Sequence, residues 1–300
     1  MSEVGPRLRV GAFALAAVGA VAMAALGIRK ASIPARCPAG TVATEGRCCA
    51  PGQQERDGRC SGAPSGCPDG FARAAEGCRA IERTALIPAG RLVVGPGDWE
   101  AQGVVAPRTI EIPSPFRLDV FEVSVEGWNR CVDAGACGPR VDDEPGRPVR
   151  EVSFTQARDF CHWAHGELPT DDEWTFAAAG SAGRRYPWGD TGAVCVRAAW
   201  GVASGPCARA SGPDWTGIHP GDSTPEGIRD LAGSVAEWVV GADGSPTVRG
   251  GSWRSSFAAE LRSWRQRAQD PARGADDIGL RCRYAASSPP APAVLPSAPP

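Results

Sequence analysis

The sequence predicts an irregular, loop-rich α+β domain with little regular secondary structure, preceded by a disulfide-rich repeat of short hairpins. Three observations predict it. All ten tryptophans fall between Trp99 and Trp264, so one aromatic-rich body fills the middle and later parts of the chain. Proline and glycine, 28 and 38 residues, punctuate nearly every stretch of that body. Such punctuation keeps elements short and loops numerous. Twelve cysteines, several at matched spacings, point to covalent cross-linking.

The hairpin repeat comes first. Cys37-Pro-Ala-Gly runs to Gly46-Arg47-Cys48, Cys49-Ala-Pro-Gly to Gly58-Arg59-Cys60, and Cys67-Pro-Asp-Gly to Gly77-Cys78. Each unit brings its cysteines together across a short hairpin, close enough for a disulfide. The units hold too few apolar residues for a core, so covalent closure supplies the order. Zinc is disfavoured, since the spacing lacks paired CxxC knuckles and no histidine lies in the segment. The expected pairs are Cys37–Cys48, Cys49–Cys60 and Cys67–Cys78. The adjacent Cys48 and Cys49 leave Cys37–Cys49 with Cys48–Cys60 as a rival. Further on, Cys131 and Cys137 flank a tight glycine-containing loop, and Cys195–Cys207 closes another local loop.

Four regions follow from composition: 1–30, an N-terminal signal anchor or signal peptide; 31–84, the cysteine-rich repeat; 85–284, the main domain; and 285–300, a Pro/Ala-rich tail expected to be disordered. Arg7 and Arg9 precede an uncharged apolar run from Val10 to Ile28. At about 1.5 Å per residue this run is just long enough to cross a hydrocarbon core of about 30 Å. Small residues around Ala20, Ala22 and Ala24 also offer cleavage sites, so anchor and cleaved signal both stand. Either sends the chain out of the cytoplasm, membrane-anchored or periplasmic/extracellular, where disulfides persist. The net charge of −2 argues against a nucleic-acid partner.

Within the main domain, apolar spacing predicts a helix from Thr155 to His165, with Phe154, Ala157, Phe160, Cys161 and Ala164 on one face. A second begins at Thr170, where Thr170 and Glu173 form a capping box, and ends at Gly180. Asp171 and Asp172 suit that helix N-terminus better than acid–base work. Leu118 to Val125 reads as a strand. His162 and His165 are helix neighbours, but a metal site there is disfavoured. No motif for a hydrolase nucleophile, a zinc protease, a P-loop or a dinucleotide fold occurs.

The same residues form a series that resembles the formylglycine-generating enzyme (sulfatase-modifying factor) family. The series runs Ile87-Pro-Ala-Gly90, Asp119-Val-Phe-Glu-Val-Ser124, Leu168-Pro-Thr-Asp-Asp-Glu-Trp174 and Pro187-Trp-Gly189. It continues with Gly227-Ile-Arg-Asp-Leu-Ala-Gly-Ser-Val-Ala-Glu-Trp238, Arg249-Gly-Gly-Ser-Trp253 and Ile278-Gly-Leu-Arg-Cys282. The resemblance implies an irregular fold related to C-type lectins and a Cys161–Cys282 disulfide. It also implies a structural calcium ion on the Asp230 side chain, the Gly233 and Val235 carbonyls and the Glu237 side chain. The competing reading has Asp230 capping a turn and Glu237 paired with an arginine such as Arg249. The family's second calcium site looks degraded, with Ala198 before Trp200 and only Asp214 left.

One departure carries functional weight. Active members follow the pattern GGSWxCxxxxC, whose two cysteines bind copper(I). Those positions hold Ser255 and Glu260 here, and a hydroxyl plus a carboxylate does not replace two thiolates. Copper is therefore not expected, and no catalytic residue is assigned. The family's substrate cleft maps to the stretch holding Trp253, Ser255, Glu260, Arg262, Trp264 and Arg265, suited to a peptide, protein or glycan ligand of the cell envelope. Two functions follow: a non-catalytic binding or structural module on a disulfide stalk, or a noncanonical oxidase or tailoring enzyme using the same cleft.

Overall fold

The computed structural model describes residues within 42–287, apart from short stretches of which 96–104 is the longest. The apolar N-terminal segment, Cys37 and most of the tail lie outside the described residues. Among the described residues no helix is long and apolar enough to cross a membrane.

The repeat folds as three antiparallel hairpins: β1 (Val42–Thr44) with β2 (Arg47–Cys49), β3 (Gln54–Arg56) with β4 (Arg59–Ser61), and β5 (Phe71–Ala74) with β6 (Gly77–Ala80). Cys67 and Cys78 are bonded across the third unit. Cys49 is disulfide-bonded and buried. The partners expected for the first two units, Cys37, Cys48 and Cys60, lie outside the described side chains.

Among the described residues the main body has three short sheets. β7 (Thr84–Ile87), β10 (Phe116–Asp119) and β15 (Arg283–Ala285) form one, in the order β15-β10-β7. β8 (Gly90–Val94) and β9 (Arg108–Ile112) form an antiparallel ribbon. β11 (Ala236–Val240), β12 (Pro246–Arg249), β13 (Gln266–Arg267) and β14 (Ile278–Gly279) form the third, in the order β13-β12-β11-β14. Three α-helices of the described residues pack among them: α1 (Val125–Asp133), α2 (Phe154–Trp163) and α3 (Asp171–Ala179). The body is thus a mixed, loop-rich arrangement with few helices, as the sequence predicts.

Local chemistry explains the helix limits. The capping box of α3 is present: the Thr170 hydroxyl accepts from the Glu173 amide and the Glu173 carboxylate accepts from the Thr170 amide. Gly180 then leaves the helix at φ 62°. α2 ends earlier than the periodicity predicts, because His165 turns to φ 60° and breaks the repeat. The predicted strand over 118–125 is corrected. Pairing stops at Asp119, and Val125 already belongs to α1, whose Ser124 N-cap accepts from Gly127 N. Residues 120–123, three apolar side chains and the buried Glu122, bend away from the sheet, and two of their amides bond to loops rather than to a strand: Val120 N to Arg83 O and Val123 N to Leu280 O. An alternating apolar run does not distinguish these partners from a sheet ladder.

Among the described residues, two large apolar clusters fill most of the body and two smaller ones adjoin Trp200 and Trp253. Ile87, Leu92, Ile110 and Leu118 pack on the α3 side chains Trp174 and Phe176. Trp128, Phe160, Trp238 and Leu280 form the other, where the Trp128 and Phe160 rings stack at 5.6 Å. Three expected disulfides join the body: Cys131–Cys137, Cys195–Cys207 and Cys161–Cys282. The last ties α2 to the chain before β15 across 121 residues of sequence. Closing so long a loop restricts the unfolded chain most. The double change Cys161→Ser with Cys282→Ser is therefore expected to cost about 2–5 kcal/mol, read as a lowered denaturant midpoint relative to the oxidised parent.

Candidate functional site

The segment 227–238 builds the interior end of the site. Asp230, Gly233 and Ser234 all take left-handed backbone angles, with φ of 57°, 86° and 52°. Gly233 has a second requirement: a Cβ there would stand 2.6 Å from the Ala199 carbonyl oxygen. This looped segment delivers Glu237 on β11 to Arg281, the arginine of Gly-Leu-Arg-Cys. Both are buried, at 1% and 0% exposure. Arg281 Nε donates to Glu237 Oε2 at 2.7 Å and Nη2 to Oε1 at 2.6 Å. The Trp174 indole donates to Oε2 at 2.7 Å. Arg281 also donates to the carbonyls of Asp119, Val120 and Arg229.

This geometry tests the calcium expectation. Glu237 has both carboxylate oxygens engaged by the guanidinium, and one also by an indole, which leaves it filled by protein donors. Asp230 accepts the Gly217 amide, and the Val235 amide donates to Glu122 at 3.0 Å. Among the described residues no group of three or more metal-type side chains is placed to hold an ion. The donor set as arranged does not fit calcium through Glu237. The ion-pair reading fits, with Arg281 as partner where Arg249 was expected. Asp214, the residue expected to remain from a second calcium site, meets His219 Nε2 at 2.9 Å.

Arg281 sits among four buried carboxylates: Glu122, Asp222, Asp230 and Glu237. Burial first, then the charges of Asp230 and Glu237, pushes the Glu122 carboxyl well above its ordinary range. Burial and the charge of Asp230 do the same to Asp222. Burial also raises Asp230, while His219 and the Gly217 amide pull it back. The Ser234 hydroxyl and the Val235 amide donate to Glu122. One oxygen of Asp222, Oδ1, is buried with no hydrogen-bond partner.

The outer end is an open cavity of about 610 Å³ between the start of α3, the ends of β9 and β12, and the chain over 257–266. Its floor is ionic. Asp171, the first residue of α3, accepts from Arg249 Nε at 2.5 Å and Nη2 at 2.6 Å, and from Arg108 Nη2 at 2.8 Å. Arg108 also pairs with Asp172. The walls carry Glu260, Arg262, Trp264 and Arg265, four of the six expected cleft residues, joined by Phe257 and Gln266. The other two are elsewhere. Trp253 is buried, its indole donating to the Asp276 carbonyl. Ser255 is buried, its hydroxyl accepting from the Ser252 amide at 3.1 Å. Arg254 and Arg267 pair with Asp276 and Asp277, which takes them out of the cavity's charge. Arg108 and Asp171 come from distant sequence and were not legible as cleft residues.

Residues 70–286 match the sulfatase-modifying factor enzyme 1-like domain. The chain belongs to that family. "Inactive C-alpha-formylglycine-generating enzyme 2" of Bos taurus is 32% identical over 157 residues, covering 48% of this chain and 52% of the relative. "Formylglycine-generating enzyme" of Mycobacterium tuberculosis is 32% identical over 133 residues, 39% of this chain and 44% of the relative. "Hercynine oxygenase" of Mycolicibacterium thermoresistibile is 30% identical over 128 residues, 41% of this chain and 27% of the relative. The chain thus spans about half or less of the length of these curated relatives. Among solved structures, "Treponema denticola variable protein 1" aligns with a TM-score of 0.56 at 20% identity, over 69% of this chain and 96% of that one. PvdO from Pseudomonas aeruginosa aligns with a TM-score of 0.54, also at 20% identity, over 69% and 95%. At this identity the likeness concerns the fold.

In this sulfatase-modifying factor-like domain, Ser255 and Glu260 have local structural duties. Ser255 closes the turn after Gly250 and Gly251, and Glu260 Oε2 accepts the amides of Ser256 and Phe257 at 2.8 and 3.0 Å. Among the described residues every cysteine is disulfide-bonded, so no thiol is at hand.

Two stability predictions follow from the interior end. Glu237→Ala strands a buried guanidinium and is expected to cost about 3–5 kcal/mol. The loss should be the same with calcium or with chelator in denaturant titrations; a larger loss with calcium would restore Glu237 as its ligand. The second concerns pH. Asp222 has a raised folded pKa, so its favourable contribution is complete below the unfolded value of about 3.9 and fades as pH rises through the folded value. Asp222→Asn removes that dependence. Its stability relative to the parent should rise between pH 3 and pH 7, measured by urea unfolding at each pH.

Proposed function

We propose that this protein is a non-catalytic member of its family that works outside the cytoplasm as a binding module, displayed on a stalk of disulfide-closed hairpins. The observation that carries this reading is the replacement of the copper-binding cysteine pair by Ser255 and Glu260. Both have hydrogen-bonding roles that hold the turn together, and neither supplies a soft ligand. Disulfides in both the stalk and the body suit an oxidising compartment. The N-terminal apolar segment supplies the export signal or the anchor in this reading. The kinship with C-type lectins, binding folds built on loops, belongs to the same reading. It fits a domain that has an open cavity walled in part by the chain over 257–266. Cavity residues Arg262, Trp264 and Arg265 form the binding wall, and a peptide, protein or glycan of the cell envelope is the ligand class.

A second reading, a tailoring oxidase acting in the same cavity without the cysteine pair, draws on the relatives named hercynine oxygenase. Metal analysis separates the two: copper or iron bound in stoichiometric amount to the purified protein supports the oxidase. The first reading is tested directly. Incubated with a Cys-x-Pro-x-Arg peptide, copper(I) and oxygen, the protein should leave the peptide cysteine intact. Mass spectrometry that finds formylglycine above a no-protein control would overturn it.

A further inference from the structure

The loop after β13 holds a covalent feature that the binding reading does not use. Asp270-Pro271 is the one Asp-Pro bond in the chain. Asp270, Pro271, Ala272 and Arg273 are all exposed, so water reaches the bond. The turn is ordered around it. Asp270 Oδ1 accepts from Ala272 N at 3.0 Å, which folds the side chain back along its own main chain. The Asp270 carbonyl oxygen accepts from Arg273 N at 3.2 Å. Asp270 Oδ2 stands 3.8 Å from Arg273 Nε, outside hydrogen-bond reach. Three parts of an acyl-transfer site are therefore adjacent: a carboxylate nucleophile, a carbonyl whose oxygen already meets an amide donor, and a leaving nitrogen.

Proline matters twice here. It has no N–H, so cyclisation of the aspartate onto the following amide nitrogen is closed. Its nitrogen belongs to a tertiary amide, which is more basic than a secondary one and leaves once protonated. No other acidic side chain lies within 268–274, so the proton comes from solvent. Arg273 and the exposed Glu151, on the segment packed against Gly274, are the charged groups that border the turn among the described residues. From this geometry we infer that the turn is a self-cleavage site that opens in acid. Oδ2 bonds to the Asp270 carbonyl carbon, the bond from that carbon to the Pro271 nitrogen breaks, and the nitrogen keeps a solvent proton. Water then hydrolyses the cyclic anhydride. The sum is one water added across the bond, with no oxidant or reductant.

The fold gives the two sides of the cut different fates. Residues 271–300 stay with the body through β14 on β11, β15 on β10, the Arg281–Glu237 pair and the Cys161–Cys282 disulfide. Pro271 O also accepts from Phe154 N at the start of α2 at 3.1 Å. The cavity wall over 257–266, by contrast, comes to lie next to a free chain end, with the two-residue β13 between them. Scission therefore loosens one wall of the cavity and leaves the core intact, whatever ligand the cavity takes.

The experiment uses the full-length oxidised protein, incubated with protease inhibitors and followed by intact-mass spectrometry with and without reductant. With reductant, a fragment that begins at Pro271 should accumulate at least about tenfold faster at pH 4 than at pH 7. Without reductant, the two pieces should run as one species heavier than the parent by one water, because Cys161–Cys282 joins them. Asp270→Asn removes the nucleophile and Pro271→Ala restores the amide N–H, and each should slow the cut at least about tenfold. At the same pH the folded protein should be cut at least about threefold faster than the chain unfolded in urea, the gain expected of a held geometry. Equal folded and unfolded rates reduce the turn to an ordinary Asp-Pro bond and overturn the site. No Pro271 fragment at pH 4 overturns it as well. A fragment that begins at Gly274 instead marks a protease acting after Arg273, and also overturns it.

Discussion

The buried pair of Arg281 and Glu237 is the interaction on which the rest of this domain depends. A guanidinium carries its donors in a rigid plane, and here that plane is used on several segments at once. Two nitrogens hold the Glu237 carboxylate of β11, and the remaining contacts reach the carbonyls of Asp119, Val120 and Arg229. Val120 and Arg229 lie outside the named strands and Asp119 ends β10, so these are places where a buried acceptor would otherwise go unsatisfied. The Trp174 indole adds α3 to the same carboxylate. A fold with so little regular structure meets part of its backbone hydrogen-bonding needs with side chains, and this arginine alone satisfies three carbonyls.

Such a centre has an electrostatic consequence. One guanidinium faces Glu122, Asp222 and Asp230 as well as its partner, and burial makes their ionisation unfavourable. Burial acts against the charge on Arg281 too, yet the Glu237 carboxylate outweighs it and its pKa is raised. The interior therefore concentrates charge on one firm pair and favours the proton on its neighbours. Buried pairs of this kind contribute modestly to net stability but break expensively when one partner is removed.

The cavity inverts this arrangement. Here one carboxylate, Asp171, sits between two guanidiniums, Arg249 and Arg108. Both ends of the site grow from the same elements. α3 begins at the cavity with Asp171 and sends Trp174 inward to Glu237, while β12 ends at the cavity with Arg249, opposite Glu237 in register. A change in the buried pair therefore bears on the cavity floor through one turn of helix and one strand crossing. Loss of the cysteine pair leaves this frame intact, since Ser255 and Glu260 still satisfy the amides of their turn.

Much of this was determined by local sequence. The capping box at Thr170 and Glu173, the glycine at 180, the hairpin units, and the ends of α2 within a few residues all follow from short-range chemistry. So did the local disulfides Cys67–Cys78, Cys131–Cys137 and Cys195–Cys207, because nearby cysteines find each other in tight loops. The motif series added the family and the Cys161–Cys282 bridge, and it located part of the cavity wall. Tertiary structure alone decided which charges meet. Glu237 pairs with Arg281 rather than Arg249 because residues 278–282 pass directly beside β11. Arg249 was turned toward Asp171, and Arg108 entered the cavity from 63 residues away. Charged side chains reach far and pair with whatever the fold brings near, so sequence distance says little about their partners. Helix caps and short disulfides are set by the chain's own local geometry, and for that reason they could be read before the fold was known.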